Sequence, residues 1–167
     1  MVKQNTVCSN GWRMNKEQAQ NRMELKFMPV SENEGFARVA VAAFMTQLDP
    51  TLEETEDVKT AVSEAVTNSI IHGYETKEEG QQVVIEAYLT PKKIHIKVED
   101  KGVGIENIGK AMEPLFTTKP ELERSGMGFA FMEAFMDDLQ VLSAPGRGCK
   151  IVMEKKLGSM PWLEEDE

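Results

Sequence analysis

The chain has 167 residues, 41% hydrophobic and 28% charged, with a net charge of −9, which fits one soluble domain with a real core. That acidity excludes a surface built to hold a nucleic-acid backbone, which requires a basic face, and suits a basic protein partner. No apolar run approaches the ~20 residues that cross a bilayer, and the polar Val2-Lys3-Gln4-Asn5-Thr6 leaves no apolar region for a secretion signal, so the expectation is a cytoplasmic protein with no membrane partner.

Residues 1–22 carry no periodicity and read as a flexible extension, followed by a single domain over 23–157 and an acidic, mobile tail over 158–167. Glu24 to Val30 alternates as a short strand through Leu25 and Phe27. Ser31 and Glu34 have the spacing of a capping box. They open a helix to about Leu48, with Phe36, Val39, Ala40, Ala43 and Phe44 on one face; Asp49-Pro50 ends it. Thr51 and Glu54 form a second capping box. The helix they open runs to about His72 and stops at Gly73.

The period then changes. Gln82 to Leu89 and Lys93 to Asp100 read as a hairpin around Thr90-Pro91-Lys92. Residues 101–128, rich in Gly and Pro, are expected to hold no long element. Gly126 to Asp138 reads as a helix, and Leu139 to Ser143 with Cys149 to Lys156 as a second hairpin. The order predicts an α/β (α+β) two-layer sandwich, with helices on one face of a mostly antiparallel sheet. A loop of roughly 20 residues inside a compact domain points to a lid or binding loop.

Three short sets of residues carry chemistry. On the second helix, Val58, Val62, Ala65, Val66, Ser69 and Ile70 fall on the core arc, while Glu64 and Asn68 stand one turn apart on the other. An amide oxygen can ligate a hard cation such as Mg²⁺ and a carboxylate can accept a proton, although the same pair is common on a solvated helix face. Asp100-Lys101-Gly102-Val103-Gly104 ends a strand with an acceptor and two glycines, a pattern that a plain turn also favours. Ser125-Gly126-Met127-Gly128 opens a helix, where free N–H groups attract phosphate. Thr117, Thr118, Lys119 and Arg124 precede it as further phosphate contacts. The two cysteines, Cys8 and Cys149, and the two histidines, His72 and His95, give neither a disulfide framework nor zinc spacing. The Gly-Lys-Ser/Thr of a P-loop and the His-Arg-Asp and Asp-Phe-Gly of eukaryotic kinases are missing.

Taken in order, Glu-x-x-x-Asn on a helix, Asp-x-Gly-x-Gly after a strand and Gly-x-Gly at a helix start resemble the GHKL superfamily. That is the Bergerat ATP-binding fold of histidine kinases, type II topoisomerases and heat-shock chaperones. Closer still, Glu64-Ala65-Val66-Thr67-Asn68 through His72-Gly73-Tyr74, and Pro114 through Phe129, resemble the anti-sigma F factor family, the serine kinases of endospore formation. The likeness covers roughly residues 24–157.

The resemblance implies a kinase and sigma-factor antagonist in one domain, using ATP and yielding ADP with Mg²⁺. It would phosphorylate an anti-anti-sigma protein on serine and bind the sigma factor. Asn68 would bind Mg²⁺ and Glu64 would be the catalytic base. Asp100 would accept from the adenine amine, with Gly102 and Gly104 lining the ring. Residues 105–128 would form the lid, placing Thr117, Thr118, Lys119, Arg124, Gly126 and Gly128 near the phosphates. Arg38 would contact a partner. The family also implies a homodimer, with the first strand and first helix near the interface. Where the family has Gly-Thr at the start of the last strand, this chain has Gly148-Cys149, and a thiol is a weaker hydrogen-bonding group. The alternatives are a general-stress anti-sigma serine kinase, a detached histidine-kinase ATPase domain and a non-catalytic nucleotide-dependent binding module.

Overall fold

A computed structural model describes residues 19–116 and 126–158. Five strands form one antiparallel sheet in the order β1-β2-β3-β5-β4. They are β1 (Asn21–Phe27), β2 (Val83–Thr90), β3 (Lys93–Asp100), β4 (Asp138–Ser143) and β5 (Cys149–Lys156). The helices are α1 (Glu32–Met45), α2 (Leu52–Asn68), α3 (Ile108–Ala111) and α4 (Gly128–Phe135). This is the two-layer α+β architecture that the element order predicts.

The core lies between the sheet and α1, α2 and α4. Strict alternation on β3 buries Ile94, Ile96 and Val98, because successive strand side chains point to opposite faces. Ile85, Ala87 and Leu89 of β2 and Ile151 and Met153 of β5 extend the same layer. Val58, Ala61, Val62, Ala65 and Val66 of α2 close it from above, as the helical period requires. The opposite face of the sheet carries ion pairs, Lys97 with Glu86 across to β2 at 2.8 Å and with Glu99 along its own strand at 3.2 Å. The β2–β3 connection is the two residues Pro91-Lys92, with Lys92 at φ 64°.

Several expectations are corrected. β1 starts at Asn21, two residues inside the segment expected to be an extension, and Asn21 and Arg22 pair with Leu89 and Tyr88. It also ends at Phe27 and not at Val30, because Pro29 has no N–H to give to a ladder. The Ser31 capping box does not form. Ser31 itself takes helical angles, φ −60° and ψ −29°, and makes no side-chain cap. Glu34 instead accepts from Ser63 of α2 and pairs with Arg38 at 3.4 Å. The buried stripe of α1 is Ala37, Val41 and Met45, while Phe36 is 61% and Val39 57% exposed. The small Ala37 faces inward because α1 lies directly on α2. The loop after β3 holds no long element among its described residues, as expected; its short helix α3 is capped by Asn107 Oδ1 accepting from Lys110 N–H at 2.9 Å. Helix α4 is shorter than expected at both ends. Among the described residues no helix is long and apolar enough to cross a membrane.

The Thr51 capping box is complete. Thr51 Oγ1 accepts from Glu54 N–H at 3.1 Å, and Glu54 Oε2 accepts from Thr51 N–H at 2.8 Å. The same carboxylate, 6% exposed, accepts from Gly158 N–H at 3.0 Å and so ties the start of α2 to the residue beyond β5. Thr51→Ala is expected to lose about 1 kcal/mol of stability, the usual worth of such a cap, whereas Thr51→Ser keeps it. Urea unfolding of the two variants measures the difference.

Candidate functional site

The last turn of α2 departs from α geometry. Ser69–Gly73 is a single π turn, a distortion that recurs at functional sites. Its effect is to aim Ser69 and Gly73 at the end of β3. There Asp100 is 3% exposed and accepts from Gly102 N–H at 3.0 Å, from the Ser69 hydroxyl and from Cys149 N–H. Burial pushes the Asp100 carboxyl above its usual range, opposed by those three donors. A Cβ on Gly73 would lie 2.9 Å from the Asp100 carboxylate, so only glycine leaves room for the charge.

The loop that follows is held by backbone contacts. Gly102 packs so closely on Gly73 that a Cβ would stand 1.8 Å from the Gly73 carbonyl oxygen. Val103 N–H donates to that same oxygen at 2.8 Å. Gly148 N–H donates to Gly102 O at 3.0 Å, and Ser143 Oγ accepts from Ile105 N–H at 2.8 Å while donating to Gly148 O at 2.6 Å. The β4–β5 turn is thus zipped onto the Asp100–Ile105 segment.

These elements enclose a cavity of about 440 Å³ between α2, the Asp100 loop, α3 and α4. Of the residues expected at a site, Asn68, Asp100, Gly104, Gly126, Gly128 and Cys149 line it. Gly102 does not; it lies behind Asp100, where it supplies an N–H and a close packing contact. Glu64 stands at the far edge. A Cβ on Gly128 would meet its Oε2 at 3.0 Å and Asn68 Oδ1 at 3.4 Å, so the first residue of α4 rests against the Glu64–Asn68 pair. Asn68 Nδ2 is buried without a hydrogen-bond partner, and no other described side chain holds such an atom. Arg38 is distant from the cavity, on α1, and donates to Ser63 Oγ at 3.3 Å. Thr117, Thr118, Lys119 and Arg124 lie outside the described residues.

Burial, then the nearby Asp100 charge, push the Cys149 thiol up to about 12. It therefore lines the cavity as a neutral group. Sequence reasoning missed Ser69 as a partner of Asp100, because the residue reads simply as core. It also missed Lys110, Phe116 and Asn107, which line the cavity from α3 and its flanks. They fall within residues 105–128, which the resemblance implies as the lid, but none of them was singled out.

The family described as "Histidine kinase-like ATPase domain" matches residues 31–155. An "Anti-sigma F factor" of Clostridium perfringens strain SM101 is 61% identical over 139 residues, covering 83% of this chain and 99% of that protein. One from Clostridium acetobutylicum is 62% identical over 137 residues, covering 82% and 94%. The chain belongs to the anti-sigma F factor family. Its fold is also that of a structure of the RsbU and RsbW domains of a Mycobacterium tuberculosis protein, with a TM-score of 0.59 at 16% identity over 83% of this chain and 32% of that one. An ATPase domain of the histidine kinase-like type implies a bound nucleotide, and the cavity of this anti-sigma F family member suits one. It offers a buried acceptor at one end, a glycine-started helix N-terminus at the other and apolar walls from Ile105, Phe129 and Ile151.

The raised pKa of Asp100 sets a pH dependence with a definite sign. The folded state holds this proton more tightly than the unfolded state, whose carboxyl has the ordinary value of 3.8. Between that value and the raised folded one, the contribution of Asp100 to stability falls as pH rises. Asp100→Asn removes the effect. Thermal melts of both proteins without nucleotide are expected to show the parent gaining on the variant as pH is lowered from 7 to 4. A difference that is flat or opposite in sign contradicts the assignment.

Proposed function

We propose that the chain is an ATP-dependent protein serine kinase that also holds a sigma factor inactive. The carrying observation is the two-ended cavity, with Asp100 buried at one end and the Glu64–Asn68 pair against the start of α4 at the other. The relatives' name supports the sigma factor as partner. Asp100 would accept from the adenine amine, with Gly104 and Cys149 beside the ring. Gly126, Gly128 and the α4 N-terminus would face the phosphates, joined by Thr117, Thr118, Lys119 and Arg124. Asn68 lines the cavity beside the start of α4, and its amide oxygen is proposed as the Mg²⁺ ligand. The bound ion would neutralise phosphate charge during transfer.

The substrate is proposed to be a serine of an anti-anti-sigma protein. Its hydroxyl oxygen bonds to the γ-phosphorus as the bond to the ADP oxygen breaks, and Glu64 takes the hydroxyl proton. Positioning and charge neutralisation supply most of the acceleration in such transfers. Phe36 and Val39, exposed on α1 beside the edge strand β1, support a homodimer through that face, which sedimentation equilibrium reads directly. Arg38 lies on the flank of α1 that meets α2, bonded to Glu34 and Ser63, and is proposed to meet the protein partner. A cytoplasmic setting follows from those partners.

Glu64→Gln separates the base from the binding machinery. It is expected to keep MgATP affinity within about twofold and to lose 10²- to 10⁴-fold in phosphorylation of the anti-anti-sigma protein. Asn68→Ala is expected to weaken Mg²⁺-dependent binding instead. Labelled ATP and single-turnover kinetics read both. Phosphorylation at the parental rate by Glu64→Gln would remove Glu64 from the mechanism.

A further inference from the structure

The rim of the cavity is acidic. Glu75, Glu106 and Glu113 line it, with Asp100 beneath. A polyphosphate arriving there meets like charge, which raises the energy of the bound state unless cations offset it. Among the described residues, one lysine lines this cavity: Lys110, exposed on α3. It forms no ion pair with any described carboxylate, although three glutamates share its rim. Its Nζ sits 5.2 Å from the centre of the Phe116 ring. Phe116 lines the same cavity.

We infer that Lys110 is a phosphate-binding residue of this site, parked on the Phe116 ring until the phosphate chain of an adenine nucleotide enters. This deepens the nucleotide reading and rests on it. A cation over an exposed aromatic face is weakly held, whereas an ammonium–phosphate contact is a charge-assisted hydrogen bond and is stronger. The ammonium therefore has a resting place that positions it over the cavity and yields to an anion. Two features fix the lysine in place. The Asn107 cap holds the first turn of α3 through Lys110 N–H itself at 2.9 Å. Leu115 N–H donates to Gly126 O at 3.0 Å, which anchors the backbone next to Phe116.

The test is calorimetric titration of the full chain, in parent, Lys110→Gln and Lys110→Arg forms, with ADP and with adenosine. Lys110→Gln is expected to weaken ADP about tenfold and to leave adenosine within twofold. Lys110→Arg is expected to keep most of the ADP affinity, and the ADP difference is expected to narrow as salt is raised. A structural role for Lys110 would weaken both ligands together. Equal ADP affinity in parent and Lys110→Gln, or an equal loss for adenosine, overturns the inference and leaves the nucleotide site standing. Absence of ADP binding by the parent overturns the nucleotide reading and this inference with it.

Discussion

The structure depends on keeping one carboxyl group, that of Asp100, out of water at the end of the middle strand. Burying a charge is costly unless hydrogen bonds replace its hydration. Here the replacements are the Gly102 N–H, the Ser69 hydroxyl and the Cys149 N–H. Each comes from a different segment, so the charge can be held only if α2, the β3 loop and β5 converge on it. The site and the fold therefore share one constraint.

Much of the local irregularity follows. The π turn at Ser69–Gly73 brings a hydroxyl and a glycine to the carboxylate. The contact between Gly102 and Gly73 lets the chain leave β3 beside α2 instead of across the cavity. Tyr74 fixes the same junction from behind, its hydroxyl accepting from Lys101 N–H at 2.9 Å and donating to Gln82 O at 2.6 Å. Residual desolvation, visible in the upward shift of the Asp100 carboxyl, is the state in which a ligand donor gains most. An amine that hydrogen-bonds this oxygen meets an acceptor already stripped of competing water.

The parts of the fold legible in the sequence were those decided locally. Strand β3 alternates cleanly, β2 and β5 do so over part of their length, and the Thr51 box forms between residues three apart at the start of α2. The Ser31 box has equivalent chemistry but fails, since Glu34 is captured by Ser63 on a neighbouring helix. Helix α1 was misread for a related reason. Apolar residues occur all round it, and only the close approach of α2 decides that Ala37 and Val41 go in while Phe36 and Val39 stay out. In the site, Asp100, Asn68, Gly104, Gly126, Gly128 and Cys149 were readable as types in order and converge on one cavity. Gly102 was assigned the wrong neighbour because spacing does not distinguish a glycine facing a cavity from one facing backbone. Ser69 and Lys110 were invisible because a π turn and a four-residue helix leave no periodic trace.

The most direct measurement of the central claim is the affinity of MgADP for the parent and for Asp100→Ala, by calorimetry, with circular dichroism confirming the fold of both. Removing a buried charged acceptor typically costs about 2–3 kcal/mol or more. The account predicts at least a tenfold weaker complex with a folded variant. Undiminished MgADP affinity in a folded Asp100→Ala protein would contradict it.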